Sequence, residues 1–248
     1  MFRIKLTIEY DGDDYIGWQV QKTGKSIQGE IEKCLKKLFK VKIRIYVAGR
    51  TDAGVHALQQ VAHFDIGEIN FEIKKIAMAL NHLLMISKNN IVILKSERVS
   101  LSFNSRFSVK KKTYLYKIIN RSTPSIIFKK RAWFVPKKLD LKLIKKLSKN
   151  LIGEFDFNAF RSSDCQSKSS IRSINDIKVK KTKDCIELRV IGKSFLHNQV
   201  RIIVGTLIKI TRDQGSNEEI LNILNSKDRT KAGPTAPAHG LYLEKIIY

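Results

Sequence analysis

The sequence predicts an α+β protein organised as two domains of mixed strands and helices. Three observations carry that expectation. Several short stretches alternate apolar and polar residues at a period of two, as half-buried strands do. Between them lie stretches whose apolar residues recur at helical spacing. And 248 residues suffice for two hydrophobic cores, with no low-complexity linker between the halves.

Residues Phe2 to Tyr10 alternate cleanly, with Phe2, Ile4, Leu6, Ile8 and Tyr10 on one face. Asp11 to Asp14 reads as a turn. Ser26 is placed to cap a helix whose stripe is Ile27, Ile31, Leu35 and Leu38. Val41 to Val47 alternates again, the loop Ala48 to Ala57 follows, and Gln60 to Ile66 reads as a third strand. Phe71 to Leu84 has helical spacing and Ile91 to Val99 is strand-like. Strand, helix, strand, strand, helix, strand is the ferredoxin-like plan, with two helices on one face of an antiparallel sheet.

The second half begins near Phe103. Thr113 to Asn120 and Trp133 to Val135 read as strands, and Leu139 to Leu151 as a basic amphipathic helix stopped at Gly153. Ile174 to Lys181 and Ile186 to Ile191 form a hairpin around Lys183-Asp184. Phe195 to Ile210 is a strongly apolar helix. Ser216 to Glu219 has the form of a capping box, and Leu241 to Ile247 closes as a strand. The expected architecture is two ferredoxin-like (RRM-like) domains with antiparallel sheets, residues 1–102 and 103–248.

Charge narrows the function. Forty-seven Lys and Arg against 23 Asp and Glu give a formal net charge of +24. A domain this basic repels itself unless it meets a polyanion, so nucleic acid is the first partner to consider and an anionic membrane the second. Part of that excess is compositional, since the chain is rich in Lys, Ile and Asn. Cys34, Cys165 and Cys185 lie far apart and the five histidines are scattered. That spacing suits neither a disulfide framework nor a metal site. No apolar stretch approaches a membrane span, and the strand-like start leaves no room for a signal peptide. The expected location is the cytoplasm.

The most informative stretch is Gly49-Arg50-Thr51-Asp52-Ala53-Gly54-Val55-His56. Two glycines permit tight turns and close backbone approach. If Arg50 to Asp52 is extended, the arginine and the carboxylate share a face, and an adjacent cation favours the ionised acid. Such an aspartate serves as nucleophile, general base or ion-pair partner. On physics alone an Asp-Ala-Gly turn with a surface ion pair is the favoured reading, because loops with Asp and Gly are common.

That stretch also closely resembles the central motif of the tRNA pseudouridine synthase A (TruA) family. The resemblance runs through nearly the whole chain in order: Glu9-Tyr10-Asp11-Gly12, Gly17-Trp18-Gln19, Ser26-Ile27-Gln28, Phe103 to Phe107, and Tyr114-Leu115-Tyr116. It continues through Phe155-Asp156-Phe157, Cys165, Phe195 to Arg201, and Gly240-Leu241-Tyr242-Leu243. It implies an isomerase acting on uridines 38, 39 and 40 of the tRNA anticodon arm, working as a homodimer. It implies Asp52 as the catalytic nucleophile, Arg50 as the residue that helps extrude the target nucleotide, and Arg201 as the partner of Asp52. Tyr114 then stacks on the uracil and Leu241 lines the pocket. An Asp52–Arg201 pair would put the site in a cleft between the two halves. Gln199 departs from the family pattern, which has methionine there, and Asn81 to Asn90 lacks the expected Leu-Pro-x-Asp.

The implied chemistry needs no cofactor or metal, because the uracil is only detached from C1′, turned and rejoined through C5. Asp52 can attack C1′ or C6, or act first as a base. A target base must leave its stack at a cost of roughly a few kcal/mol, and aromatic stacking returns about 1–3 kcal/mol per base. His56 and His197 read as structural histidines. The runs Lys110 to Lys112 and Lys129 to Arg131 read as solvated faces or phosphate contacts. The rivals are a non-catalytic RNA-binding module, a protein acting on RNA or membranes through charge alone, and a synthase acting on another RNA.

Overall fold

The computed structural model describes residues 1–68 and 72–248. Its elements are β1 (Phe2–Tyr10), α1 (Ile27–Phe39), β2 (Tyr46–Val47), β3 (His56–Ile66), α2 (Ile73–Ile86) and β4 (Ile91–Val99). They continue as β5 (Lys111–Ile119), β6 (Trp133–Phe134), α3 (Leu141–Lys149), β7 (Gly153–Asp156), β8 (Ile171–Thr182) and β9 (Cys185–Gly192). The last are α4 (Gln199–Arg212), α5 (Asn217–Ser226) and β10 (Leu241–Ile247). The fold is α+β. The chain divides into two compact units, residues 1–110 with 242–248, and residues 111–241. Its three cysteines are free thiols.

In the first unit β1 is central, antiparallel to β3 on one side and β4 on the other. Its alternating apolar residues Ile4, Leu6, Ile8 and Tyr10 are all buried. Ser26 caps α1 by accepting from the Gly29 amide at 3.2 Å, and Ile27, Ile31 and Leu35 turn inward. The helix read from Phe71 begins at Ile73, and Phe71 itself lies outside the described residues.

Two expectations for this unit are corrected. The second strand, read over Val41 to Val47, is reduced to Tyr46 and Val47. Ile43 and Ile45 are buried as alternation requires, but the Ile45 amide donates to the Glu32 carboxylate of α1 at 3.0 Å instead of to a strand. The sheet is also not wholly antiparallel. β3 extends over eleven residues, and its far edge receives β2 antiparallel at Ala62 and His63 and β10 parallel at His56 and Ala57.

The second unit carries the antiparallel run β5-β9-β8-β7, with β6 parallel to β5 at Ile118 and Ile119. Asp140 caps α3 through the amides of Lys142 and Leu143. Gly153 is not the helix stop. α3 ends at Lys149, and Gly153, at φ +131°, opens β7, an unanticipated strand. The apolar helix begins at Gln199 rather than Phe195, because Asn198 adopts a left-handed conformation. Ser216 is the N-cap of α5 without a capping box: its hydroxyl goes to Glu218. Among the described residues, no helix is long and apolar enough to cross a membrane.

Candidate active site

In the first unit the loop between β2 and β3 carries Arg50 and Asp52, and it is clamped by backbone. Thr51 and Asp52 lie antiparallel to Gly17 and Trp18: Gly17 and Asp52 form a bridge, and the Trp18 amide donates to the Thr51 carbonyl at 3.0 Å. Gly17 has φ +107°, and a Cβ there would sit 2.7 Å from the Thr51 oxygen, so only glycine permits the approach. Gly12 is equally constrained, since its Cβ would meet the Val55 oxygen at 2.0 Å. Val55 donates to the Asp52 carbonyl at 3.2 Å and Gly54 takes φ +75°, closing the turn.

Thr51 is anchored inward. It is 7% exposed, and its hydroxyl lies 2.7 Å from that of Tyr10. Gln60 ties the same cluster together, donating to the Gly49 carbonyl at 2.8 Å and to Tyr10 at 3.4 Å. Burial pushes the Tyr10 hydroxyl up to about 12, so it stays neutral. With Thr51 inward, its neighbours turn the other way: Arg50 is exposed and Asp52 half-buried. This Tyr10–Thr51–Gln60 cluster was not anticipated from the sequence. Its one signal is the polar pair Gln59-Gln60 inside an apolar strand.

His56 follows as a pin. It is 1% exposed and its ring stacks on Tyr242 at 4.8 Å. Its Nδ1 lies 3.1 Å from the Gly12 amide and 2.9 Å from an Asp11 carboxylate oxygen. A neutral Nδ1 accepts from the amide and a protonated one donates to the carboxylate, so either state holds the loop to the end of β1.

The second unit carries Tyr114, Arg201 and Leu241. Tyr114 lies on β5 opposite Val190 and meets Phe195 edge-on at 5.2 Å. Arg201 occupies the first turn of α4. Its guanidinium donates to the Ala236 carbonyl at 2.8 Å and to Asn198 Oδ1 at 2.7 Å, and its own carbonyl accepts from the Ala236 amide. The segment 232–237 reaches it because α4 presents Gly205, where a Cβ would meet the Pro234 oxygen at 1.7 Å. Leu241, 6% exposed, starts β10 directly after that segment. Gln199 is buried. Its Oε1 accepts from the Leu196 amide at 2.8 Å, while its Nε2 has no partner.

The structure thus gathers Arg50 and Asp52 on one loop of the first unit with His56 at the start of the strand that follows it, and Arg201 with Asn198 and Ala236 in the second. The glycine clamp and the left-handed Asn198 carry no sequence signal beyond the glycines themselves.

A family model for tRNA pseudouridine synthase matches residues 6–108 and 147–248. Asp52, His56, Arg201 and Leu241 fall inside the matched segments and Tyr114 outside them. The tRNA pseudouridine synthase A of Neorickettsia sennetsu is 46% identical over 246 residues, that of Wolbachia pipientis wMel 45% over 248, each alignment covering 99% of this chain and 100% of the relative. That of Brucella ovis is 40% identical, covering 100% of this chain and 98% of the relative.

Proposed function

The chain belongs to the tRNA pseudouridine synthase A family, isomerases that turn uridine into pseudouridine in the tRNA anticodon stem-loop at positions 38, 39 and 40, and from that premise we propose that Asp52 is its catalytic carboxylate. The observation that carries the proposal is how the loop holds it. The backbone is fixed against Gly17, Thr51 is locked inward, and the carboxylate is left half-buried on a rigid turn. Preorganised groups on supported backbone are what positional catalysis requires.

The reaction breaks C1′–N1 and forms C1′–C5. The proton lost from C5 is matched by one gained at N1, so no atom is imported. Asp52 supplies the charge that cleavage needs, by attack on C1′ or C6 or as a base at the sugar. Arg50, exposed beside it, fills the gap left by the extruded base. Tyr114 stacks on the loose uracil, Leu241 walls its pocket, and Arg201 pairs with Asp52. The finer architecture we propose is two ferredoxin-like domains. The first carries the Asp52 loop, and the second completes a cleft between them. The order β4-β1-β3 with β2 on the far edge of β3 supports the first of these. We place the enzyme in the cytoplasm, as a homodimer, with tRNA as its partner.

Wild type and Asp52→Asn are compared on unmodified tRNA. Asp52→Asn is expected to melt like wild type, to bind tRNA, and to form no pseudouridine. Measurable turnover by the variant would remove Asp52 from the chemistry.

A further inference from the structure

One octapeptide pattern occurs twice: Lys-x-x-Lys-Lys-Leu-x-Lys, at residues 33–40 and again at 142–149. The first copy ends α1 and the second fills α3, the first helix of each unit. On a helix these spacings bring the lysines of a copy onto one side; Lys40, the left-handed C-cap of α1, lines the same groove as Lys33, Lys36 and Lys37, and all eight are exposed. Among the described residues only Lys33 has a carboxylate partner, Glu30 at 2.6 Å.

Helix physics alone does not explain this. Lysines in a last turn complement the helix dipole, which accounts for Lys36, Lys37, Lys146 and Lys149. It does not account for Lys142, which stands in the first turn of α3, where the nearest acid, the N-cap Asp140, is taken up by the backbone amides of Lys142 and Leu143. Like charges three and four residues apart also repel. A comb of this kind, compensated only at Lys33, suits an outside polyanion. Every member is lysine and none arginine. Lysine meets phosphate as a point charge rather than as a fork, which fits sequence-independent backbone contact.

The position of the first comb adds direction. The α1 amide of Ile27 donates to the carbonyl of Gly17, the residue bridged to Asp52. At 1.5 Å per residue the comb therefore begins about 9 Å and ends about 20 Å along the helix from that anchor. It flanks a groove of about 440 Å³ floored by Cys34 and closed by Ser87.

We propose that these two lysine combs bind the phosphate backbone of tRNA away from the nucleotide being modified. The proposal rests on the family reading for its RNA and goes beyond it in assigning the surface.

The test measures binding of full-length unmodified tRNA between 50 and 400 mM salt. It uses wild type, Lys33→Gln/Lys36→Gln/Lys37→Gln/Lys40→Gln, and the matching four-site variant of the α3 comb. A charge-matched control neutralises the exposed lysines 178, 180, 181 and 183 of the β8–β9 hairpin. Each phosphate contact contributes about 0.7–0.9 to the slope of log affinity against log salt. Each comb variant is expected to lower that slope by about 3. Lysine→Arg versions should keep it, and pseudouridine formation on an isolated anticodon stem-loop should stay at the wild-type rate. An unchanged slope in the comb variants, or an equal loss in the hairpin control, would overturn the proposal. Absence of pseudouridine from wild type on both RNAs would instead tell against the catalytic reading of Asp52, while the slopes would still decide the combs.

Discussion

The hydroxyl of Tyr116 belongs to the fold. It donates to the Pro237 carbonyl at 2.7 Å, and the ring lies so close to Gly240 that a Cβ there would come within 2.6 Å of it. Burial raises its pKa far above the usual tyrosine range, so the group stays a neutral donor. Tyr114, two residues earlier on β5, has Phe195 edge-on to its ring. Tyr116→Phe should therefore leave the Pro237 oxygen only the longer bond from the Gly240 amide, at 3.4 Å, and cost about 1 kcal/mol of stability. Tyr114→Phe should keep most tRNA affinity, because the proposed stacking on the uracil survives without the hydroxyl. Thermal melts and filter binding on the two variants check this, and a large affinity loss in Tyr114→Phe would mean that its hydroxyl makes an essential contact. Parity along the strand treats the two tyrosines alike, and only the motif singles out Tyr114. The reason is that Tyr116 is defined by a partner 121 residues away, which no local pattern encodes. The turn that carries Asp52 was legible because its signal, glycines bracketing Arg50 and the acid, is local. The Tyr10 and Gln60 side chains that lock its neighbour Thr51 inward come from two other strands and were not.

At the scale of elements, helices and long strands were legible where burial sets the period, and boundaries were not where a side chain competes with the ladder. β2 stops short because Glu32 takes the Ile45 amide. α4 starts late because Asn198 turns left-handed. β3 shows what its own burial costs. His63 is 2% exposed, stacked on Tyr46 of β2 at 5.3 Å, with Nδ1 2.8 Å from Ser105 Oγ. Desolvation first, then the Arg3 charge, holds its pKa below 6.5 in the folded state. The unfolded chain then binds the proton more readily. The folded state has its full advantage above pH 6.5 and loses it as pH falls from there toward the folded value. Asp65 is held below 3.8, chiefly by its hydrogen bond from Arg3, so its stabilisation is lost only under stronger acid. Melting temperature should fall between pH 7 and pH 5, and His63→Gln should flatten that fall. Equal pH slopes in the two proteins would show that His63 does not govern it.

For the whole molecule, the alternation of Leu241 to Ile247 announced a strand without saying where it goes, since pairing partners are not written in a period of two. Residues 242–248 belong with residues 1–110. There Tyr242 and Leu243 pair in parallel with His56 and Ala57, and the Tyr242 ring covers His56. The Lys110 amide donates to the Ile247 carbonyl at 2.9 Å, Tyr248 donates to the Ser105 carbonyl at 2.7 Å, and its ring packs on Phe103 at 4.8 Å. The first unit is thus completed only by the far end of the chain, a contact of high sequence separation whose loop-closure entropy must be met before it forms. A chain ending at Leu241 should lose one parallel pairing, two hydrogen bonds and two ring contacts from one unit. It should melt at a clearly lower temperature than the full chain. The loss should extend to catalysis, because His56 is the residue that pins the Asp52 loop to the end of β1, through the Gly12 amide or the Asp11 carboxylate. Supplying residues 242–248 as a free peptide should restore part of both. If the shortened chain melts and turns over like the full one, the closing strand is an ornament on the first unit, and the loop keeps its geometry from Gly12, Gly17 and Tyr10 alone.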